Sequence, residues 1–391
     1  MGKLKSILRQ NWLTVIIFVA VVVGGLFAVF NQLSTIPPGI SSPERAFIKS
    51  SLSLESITDN PLNAPIKLLF FVVNQLNLDS ITVYRGLSGV FGVIFLICFY
   101  NYLKHFQTRR VSLLATILLF TSSWFLHNTR LALANILLPL SVMIILMSAR
   151  KLQQSSNTAI ISVLLGIVLG LSLYVPAAAS VALLVLIFGL KTKKTKLKFK
   201  HLSSFFISLT ITIAPLIYAS TQNVELIYGI FGLPQTFLPI EWLKRVLAIP
   251  IFLFAKGPLN PVTNLARLPI LDVFSSALLV LGVYAAYFKV KQPHFRHIIL
   301  ALIASFVLIA LNGESLLPVI MPIIYIVLSY GIAIILQQWL TVFPKNPLVK
   351  NIGIFIVVIS LSFISFYHLK RYFIAWPNSP TTKIVFRPHI D

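Results

Sequence analysis

Long apolar runs and short polar breaks alternate along this chain, and the runs are as long as membrane-crossing helices rather than the half-turn stripes of a surface helix. Runs of about 15 to 20 mostly apolar residues fall near 12–30, 84–100, 111–125, 131–147, 159–175, 176–190, 202–221, 270–288, 298–311, 316–336 and 351–369. This pattern predicts an all-α, polytopic transmembrane bundle of about eleven helices. Most breaks are short, but two, 31–80 and 222–269, are long. Both mix prolines, aromatics and charges and lack the Ser/Gly/Glu bias of a disordered linker. Counting spans places both on the same, outer side. Residues 1–391 read as one transmembrane domain with no separate soluble domain.

Within the first long connection, Ser42-Pro43-Glu44 predicts a helix start: a capping serine, proline at the first helical position and an acid in the first turn. A helix from Pro43 to about Leu54 should lie along the membrane surface. Phe47 and Leu54 would face the membrane, and Arg45 and Lys49 would share another face at i,i+4 spacing. Asn63-Ala-Pro65 opens a second apolar piece, Ile66 to Leu76, too short to span, and a helix packed under the first is expected there. Leu233 to Arg245 and Phe252 to Pro258, in the second long connection, read the same way.

Composition sharpens the picture. The chain is 57% hydrophobic and only 10% charged, with mean hydropathy +0.91, against roughly 25% charged residues in soluble domains. Lys3, Lys5 and Arg9 precede a first run too long for a cleaved signal, so it reads as a retained anchor. Cys98, the single cysteine, excludes an intrachain disulfide and a thiolate metal cluster.

The net charge of +23 does not imply nucleic acid. With the N-terminus inside, 19 of the 32 basic residues fall in inner breaks, among them the six lysines of Lys191–Lys200, while the nine acids fall at the outer side. That is the positive-inside distribution, with affinity for anionic lipid. The expected location is a bacterial cytoplasmic membrane, N-terminus inside and C-terminus outside. No histidine has metal-ligand spacing with a partner; His127 and His368 read as interfacial.

Two arginines stand at membrane depth, Arg85 at the start of the second run and Arg130 near the outer end of the pair 111–147. Buried arginine there is costly enough to suggest function, and snorkelling to headgroups is the bland alternative. Three segments carry a resemblance: Pro37-Pro-Gly-Ile-Ser-Ser-Pro-Glu-Arg-Ala46, Tyr84-Arg-Gly-Leu-Ser-Gly-Val-Phe-Gly-Val93 and Arg130-Leu-Ala-Leu-Ala-Asn135. Leu316-Leu-Pro-Val-Ile-Met-Pro-Ile-Ile-Tyr325 and Tyr372-Phe-Ile-Ala-Trp-Pro377 fit the same group. Together they resemble polytopic GT-C glycosyltransferases of the dolichyl-phosphate-mannose–protein mannosyltransferase and aminoarabinose transferase type.

The resemblance implies transfer of a sugar, with inversion, from a polyprenyl-phosphate donor to a glycan, lipid or protein acceptor at the outer face. It places Glu44 at the family's first acid, as the base that takes the acceptor's proton. The cations for the departing phosphate would come from Arg45, Lys49, Arg85, Arg130, Lys244, Arg245, Lys256 and Arg267. Where the family has a second acid this chain has Arg45, and the acid one turn beyond Arg130 is replaced by Ala134 and Asn135. A two-carboxylate site for a divalent ion therefore has no support, and no cofactor is expected. Two other readings stay open: a transporter or flippase of lipid-linked glycans, and a non-catalytic relative that binds lipid-linked sugar. For Glu44 the bland reading is a first-turn acid favoured by the helix dipole.

Overall fold

The computed structural model describes residues 22–153, 158–188, 199–236, 238–342 and 347–386. The expectations made for Lys3, Lys5, Arg9, residues 12–21, Lys191–Lys198, Lys345 and Asp391 lie outside the described residues. A helix over 22–30 (α1) leads into the first long connection, which holds α2 (Ser42–Lys49), α3 (Leu54–Asp59) and α4 (Ala64–Gln75). Next come α5 (Ile81–Leu103), α6 (Arg109–Thr121), α7 (Ser123–Thr129), α8 (Leu137–Leu152) and α9 (Ala159–Ser172). After them stand α10 (Ala178–Ala182), continued as a π-helix over Leu183–Phe188, and α11 (Phe199–Gln222). The second long connection carries α12 (Glu225–Phe231) and α13 (Pro239–Phe254). Then follow α14 (Val273–Tyr287), α15 (Pro293–Asn312), a 3₁₀ segment Gly313–Ile320, α16 (Met321–Val342) and α17 (Pro347–Lys370). A π-helical turn, Arg371–Ala375, joins α17 to the short α18 (Trp376–Asn378) and α19 (Pro380–Val385). No strand occurs among the described residues.

Four stretches are long and apolar enough to cross a membrane: Ile81–Leu103, Leu202–Gln222, His294–Trp339 and Asn351–Asn378; the bent pair α6–α7 would add a fifth. The other apolar helices, such as α9 and α14, are shorter. Large apolar side chains stand exposed in rows on three of the long helices: Ile94 and Ile97 on α5, Ile207 and Ile211 on α11, Phe355 and Phe363 on α17. Water would penalise faces of this kind, whereas hydrocarbon solvates them. By contrast α8 is buried on nearly every side and, with α16, forms the centre of the bundle.

Local departures from the expected pattern have physical causes. The first-connection helix is capped by Ser41, one residue earlier than expected; Ser42 and Pro43 take the first two helical positions. It ends at Lys49 rather than Leu54 because Ser50 and Ser51 turn their hydroxyls back onto Phe47 O, and Ser53 then caps a new helix, α3. The second helix, α4, does lie beneath: Phe70 meets Phe47 edge-on at 5.7 Å. The run 111–125 is not one helix. Ser122 donates to Leu119 O and accepts from Phe125 N, closing α6 and opening α7 at an angle of 64°. The run 131–147 becomes helical only at Leu137, and residues 131–134 are buried without helical structure.

Candidate functional site

Buried irregular backbone must find side-chain partners, and the two deep arginines with Glu44 supply them. Glu44 Oε1 accepts from Arg85 Nε at 3.0 Å and from Ala132 N at 2.9 Å, the latter in the non-helical stretch after α7. Oε2 accepts from Arg85 Nη2 at 3.2 Å and, through the capping box, from Ser41 N and Ser41 Oγ at 3.0 Å each. Arg85 Nη1 donates to Leu33 O and Pro37 O, and its Nη2 also to Gly39 O. Arg130 donates to Ala28 O, Val29 O and Asn31 O at the C-terminus of α1, where free carbonyls favour a cation. Its Nε donates to Tyr372 OH, and the guanidinium lies 4.7 Å from the Phe373 ring centre.

Glu44, Arg85 and Arg130 are each 0% exposed. Neither arginine snorkels, and Glu44 faces no pocket of cations. The three side chains tie α1, the chain leading to α2, and the break after α7 into one block. The other cations expected at the site are not among the partners of Glu44. Arg45, Lys49, Lys244, Lys256 and Arg267 are exposed. Arg245 is half-buried, donating to Leu311 O and, at 3.0 Å, to Glu241 Oε2.

A cavity of about 260 Å³ opens where the two long connections meet, lined by Pro43 on one side and by Pro258 and Asn260 on another. Polar side chains from distant parts of the chain converge on it: Ser123, His127 and Asn128 of α7, Asn135, Glu314 and Arg371. Three of these are deeply buried with an atom that has no partner in the protein, namely His127 Nε2, Asn128 Oδ1 and Arg371 Nε. Such atoms are rare in a folded interior and cost about 1–3 kcal/mol each when nothing binds them.

Each is oriented. His127 Nδ1 donates to Ser123 O one turn back, which leaves Nε2 as the acceptor, and the ring is held against Tyr372 and Trp376. Asn128 Nδ2 donates to Trp124 O. Arg371 Nη1 donates to Pro269 O, and Nη2 to Asn264 Oδ1 and Leu268 O, so the guanidinium is fixed with Nε spare. Gly257 makes room for this loop: a Cβ there would lie 2.0 Å from Leu268 O. Glu314, at the rim, accepts from Leu259 N at 3.1 Å.

Behind the cavity wall, Ser123 Oγ is 3.2 Å from His368 Nδ1, and His368 Nε2 donates to Asp272 Oδ2 at 2.9 Å. Asp272 is itself pinned as the cap of α14, accepting from Phe274 N, Ser275 N and Ser275 Oγ. His127 and His368 are thus buried, contrary to the interfacial position expected of them. Burial is possible because each ring nitrogen that must donate has an oxygen to receive its proton.

A second cavity, of about 860 Å³, is an apolar groove running from Leu152 and Leu202 to Ile230 and Phe231 between α9, the π-helix and α11. Asn312 Nδ2 donates to Gly232 O beside Phe231, and two residues beyond Asn312 stands Glu314.

No protein-family model matches the chain, and no curated protein matches it either.

Residue types alone did not single out Arg371, His127, Asn128, Ser123 or Asp272. A signal was present in the sequence: Ser122-Ser123 and His127 interrupt an apolar run, and His368 with Arg371 opens the aromatic stretch Tyr372 to Trp376. Polar groups inside an apolar span are functional candidates whatever their distance in sequence.

Proposed function

We propose that the chain is a membrane glycosyltransferase of GT-C type with eleven spans. It would move a sugar, with inversion, from a polyprenyl-phosphate donor to an acceptor at the outer face of a bacterial cytoplasmic membrane. The observation that carries the reading is the polar cavity with three unpaired buried atoms, in a chain that also holds a large apolar groove. A polyprenyl chain fits a groove lined by Leu, Ile and Phe, and a phosphate-sugar head needs a cation with a free N–H and amide or imidazole acceptors for hydroxyls. Arg371 takes the departing phosphate, His127 Nε2 and Asn128 Oδ1 accept from sugar hydroxyls, and Glu44 braces the wall on which Pro43 sits.

The test is binding and transfer with a labelled polyprenyl-phosphate sugar and purified protein in detergent. Arg371→Ala should weaken donor binding at least tenfold, a loss of about 1.4 kcal/mol, with the protein still folded. Wild-type affinity in that variant, or no affinity in the wild type, overturns the reading. One observation favours a second reading, a relative that binds lipid-linked sugar without transferring it: both oxygens of Glu44 are occupied by the protein itself. Donor binding with no transfer to any hydroxyl acceptor would select it.

A further inference from the structure

Sugar transfer from a phosphate carrier releases one proton from the acceptor, and Glu44 is enclosed, so the cavity needs another group to receive it. Glu314 lies at the rim with a backbone N–H already on its carboxylate. His127 has a free Nε2, but a proton there would create a buried cation with no carboxylate partner, on the same cavity wall as Arg371. His368 differs. Its Nε2–H is fixed on Asp272, so the neutral ring turns the Nδ1 lone pair towards Ser123 Oγ, and an imidazolium would be paired with a carboxylate. His368 is 2% exposed and sits behind Ser123, which lines the cavity.

We propose that Ser123, His368 and Asp272 form a proton relay serving a hydroxyl-bearing acceptor bound in the cavity. The inference rests on the sugar-transfer reading and specifies its acceptor class and its base. As the acceptor oxygen bonds to the anomeric carbon, the carbon–oxygen bond to the carrier breaks and its electron pair leaves on the phosphate. The acceptor's proton passes to Ser123 Oγ while the serine's own proton passes to His368 Nδ1, and Asp272 holds the resulting imidazolium. The proton returns through Ser123 to water when the product leaves. Ser123 and His368 are the catalytic groups, and Asp272 is a positioning residue.

The geometry that makes Ser123 a relay also makes its hydroxyl nucleophilic, which gives a readout independent of any sugar. A fluorophosphonate probe on the purified full chain should label Ser123, with the label located by peptide mass spectrometry. Labelling should vanish in Ser123→Ala and fall at least tenfold in His368→Gln and Asp272→Asn. A companion pair covers the case in which His368→Gln weakens the fold: in Ser123→Cys the thiol should react with iodoacetamide at least tenfold faster than in Ser123→Cys with Asp272→Asn. Absence of labelling at Ser123, or equal reactivity in the His368 and Asp272 variants, overturns the relay. Full transfer by Ser123→Ala overturns it too and leaves the sugar-transfer reading standing. Labelling that depends on His368 and Asp272, with no affinity for any polyprenyl-phosphate sugar, upholds the activated serine and overturns that reading instead.

Discussion

Glu44 exchanges hydrogen bonds with groups from three separate stretches of chain, and its removal should therefore register first in the fold. Deleting one member of a buried charge pair leaves the other uncompensated and costs about 3–5 kcal/mol. Arg85→Ala should accordingly give little folded protein, and Glu44→Gln, which keeps shape but not charge, should lower the melting temperature in detergent. An unchanged melting curve for Glu44→Gln, with transfer abolished, would instead mark Glu44 as the base. Lys67 offers a test through pH. Its Nζ donates to Asn60 O at 2.7 Å, and burial lowers its pKa from the ordinary 10.5 to about 8. Between about 8 and 10.5 the unfolded chain binds the proton and the folded one does not, so stability rises with pH across that window, by at most about 3 kcal/mol. Melting curves from pH 7.5 to 10.5 should show this rise in the wild type and lose it in Lys67→Met.

At the scale of elements, the site depends on three interruptions of regular structure: the serine bend between α6 and α7, the non-helical stretch before α8, and the loop after Gly257. Each exposes backbone groups that a continuous helix would have consumed, and each is repaired by a named side chain: Ser122, Glu44 and Arg371 with Asn264 respectively. Gly257→Ala places a methyl against Leu268 O and should displace the loop that orients Arg371. The expected result is faster proteolysis within residues 258–268 and at least tenfold weaker donor binding, with α-helical circular dichroism unchanged. Equal protease resistance would show that the loop has slack the packing does not suggest.

At the scale of the whole molecule, the exposed apolar rows on α5, α11 and α17 are compatible with long helices in hydrocarbon, and the charge distribution predicts their direction. On the proposed eleven-span reading, the basic breaks would hold the N-terminus inside, and an odd number of spans would then put the C-terminus outside. A phosphatase fused after Asp391, active only outside the cytoplasm, should be active, whereas activity of a cytoplasm-restricted reporter at that position would overturn the topology. Asn312 holds Gly232 O beside the groove residue Phe231 and stands two residues before Glu314 of the polar cavity, so on the proposed function a donor would enter sideways from the membrane with its head turned into the cavity. Photo-crosslinking of a polyprenyl-phosphate analogue carrying a diazirine on the tail should accordingly label α9 and α11, and labelling confined to α5 or α17 would exclude the groove.

The all-helical class and the start of α2 within one residue were legible in the sequence, because each depends on nearest neighbours: hydropathy over one span, or a serine, proline and acid in register; the break at Ser122 and the non-helical stretch before Leu137 were not. The helix under α2 was legible for the same reason. The roles of Arg85, Arg130 and Glu44 were not, because a charged residue near a membrane boundary reads alike whether it meets a phosphate, a headgroup or a carbonyl. Tertiary structure decided between these by bringing Ala132 to Glu44 across 88 positions and Leu33 to Arg85 across 52. It likewise brought together Ser123 of α7, Asp272 at the cap of α14 and His368 of α17. Hydrophobicity acts locally and without direction, so one segment is enough to read it. A hydrogen bond needs a partner at a fixed distance and angle, and in a bundle of helices that partner comes from wherever the fold brings it.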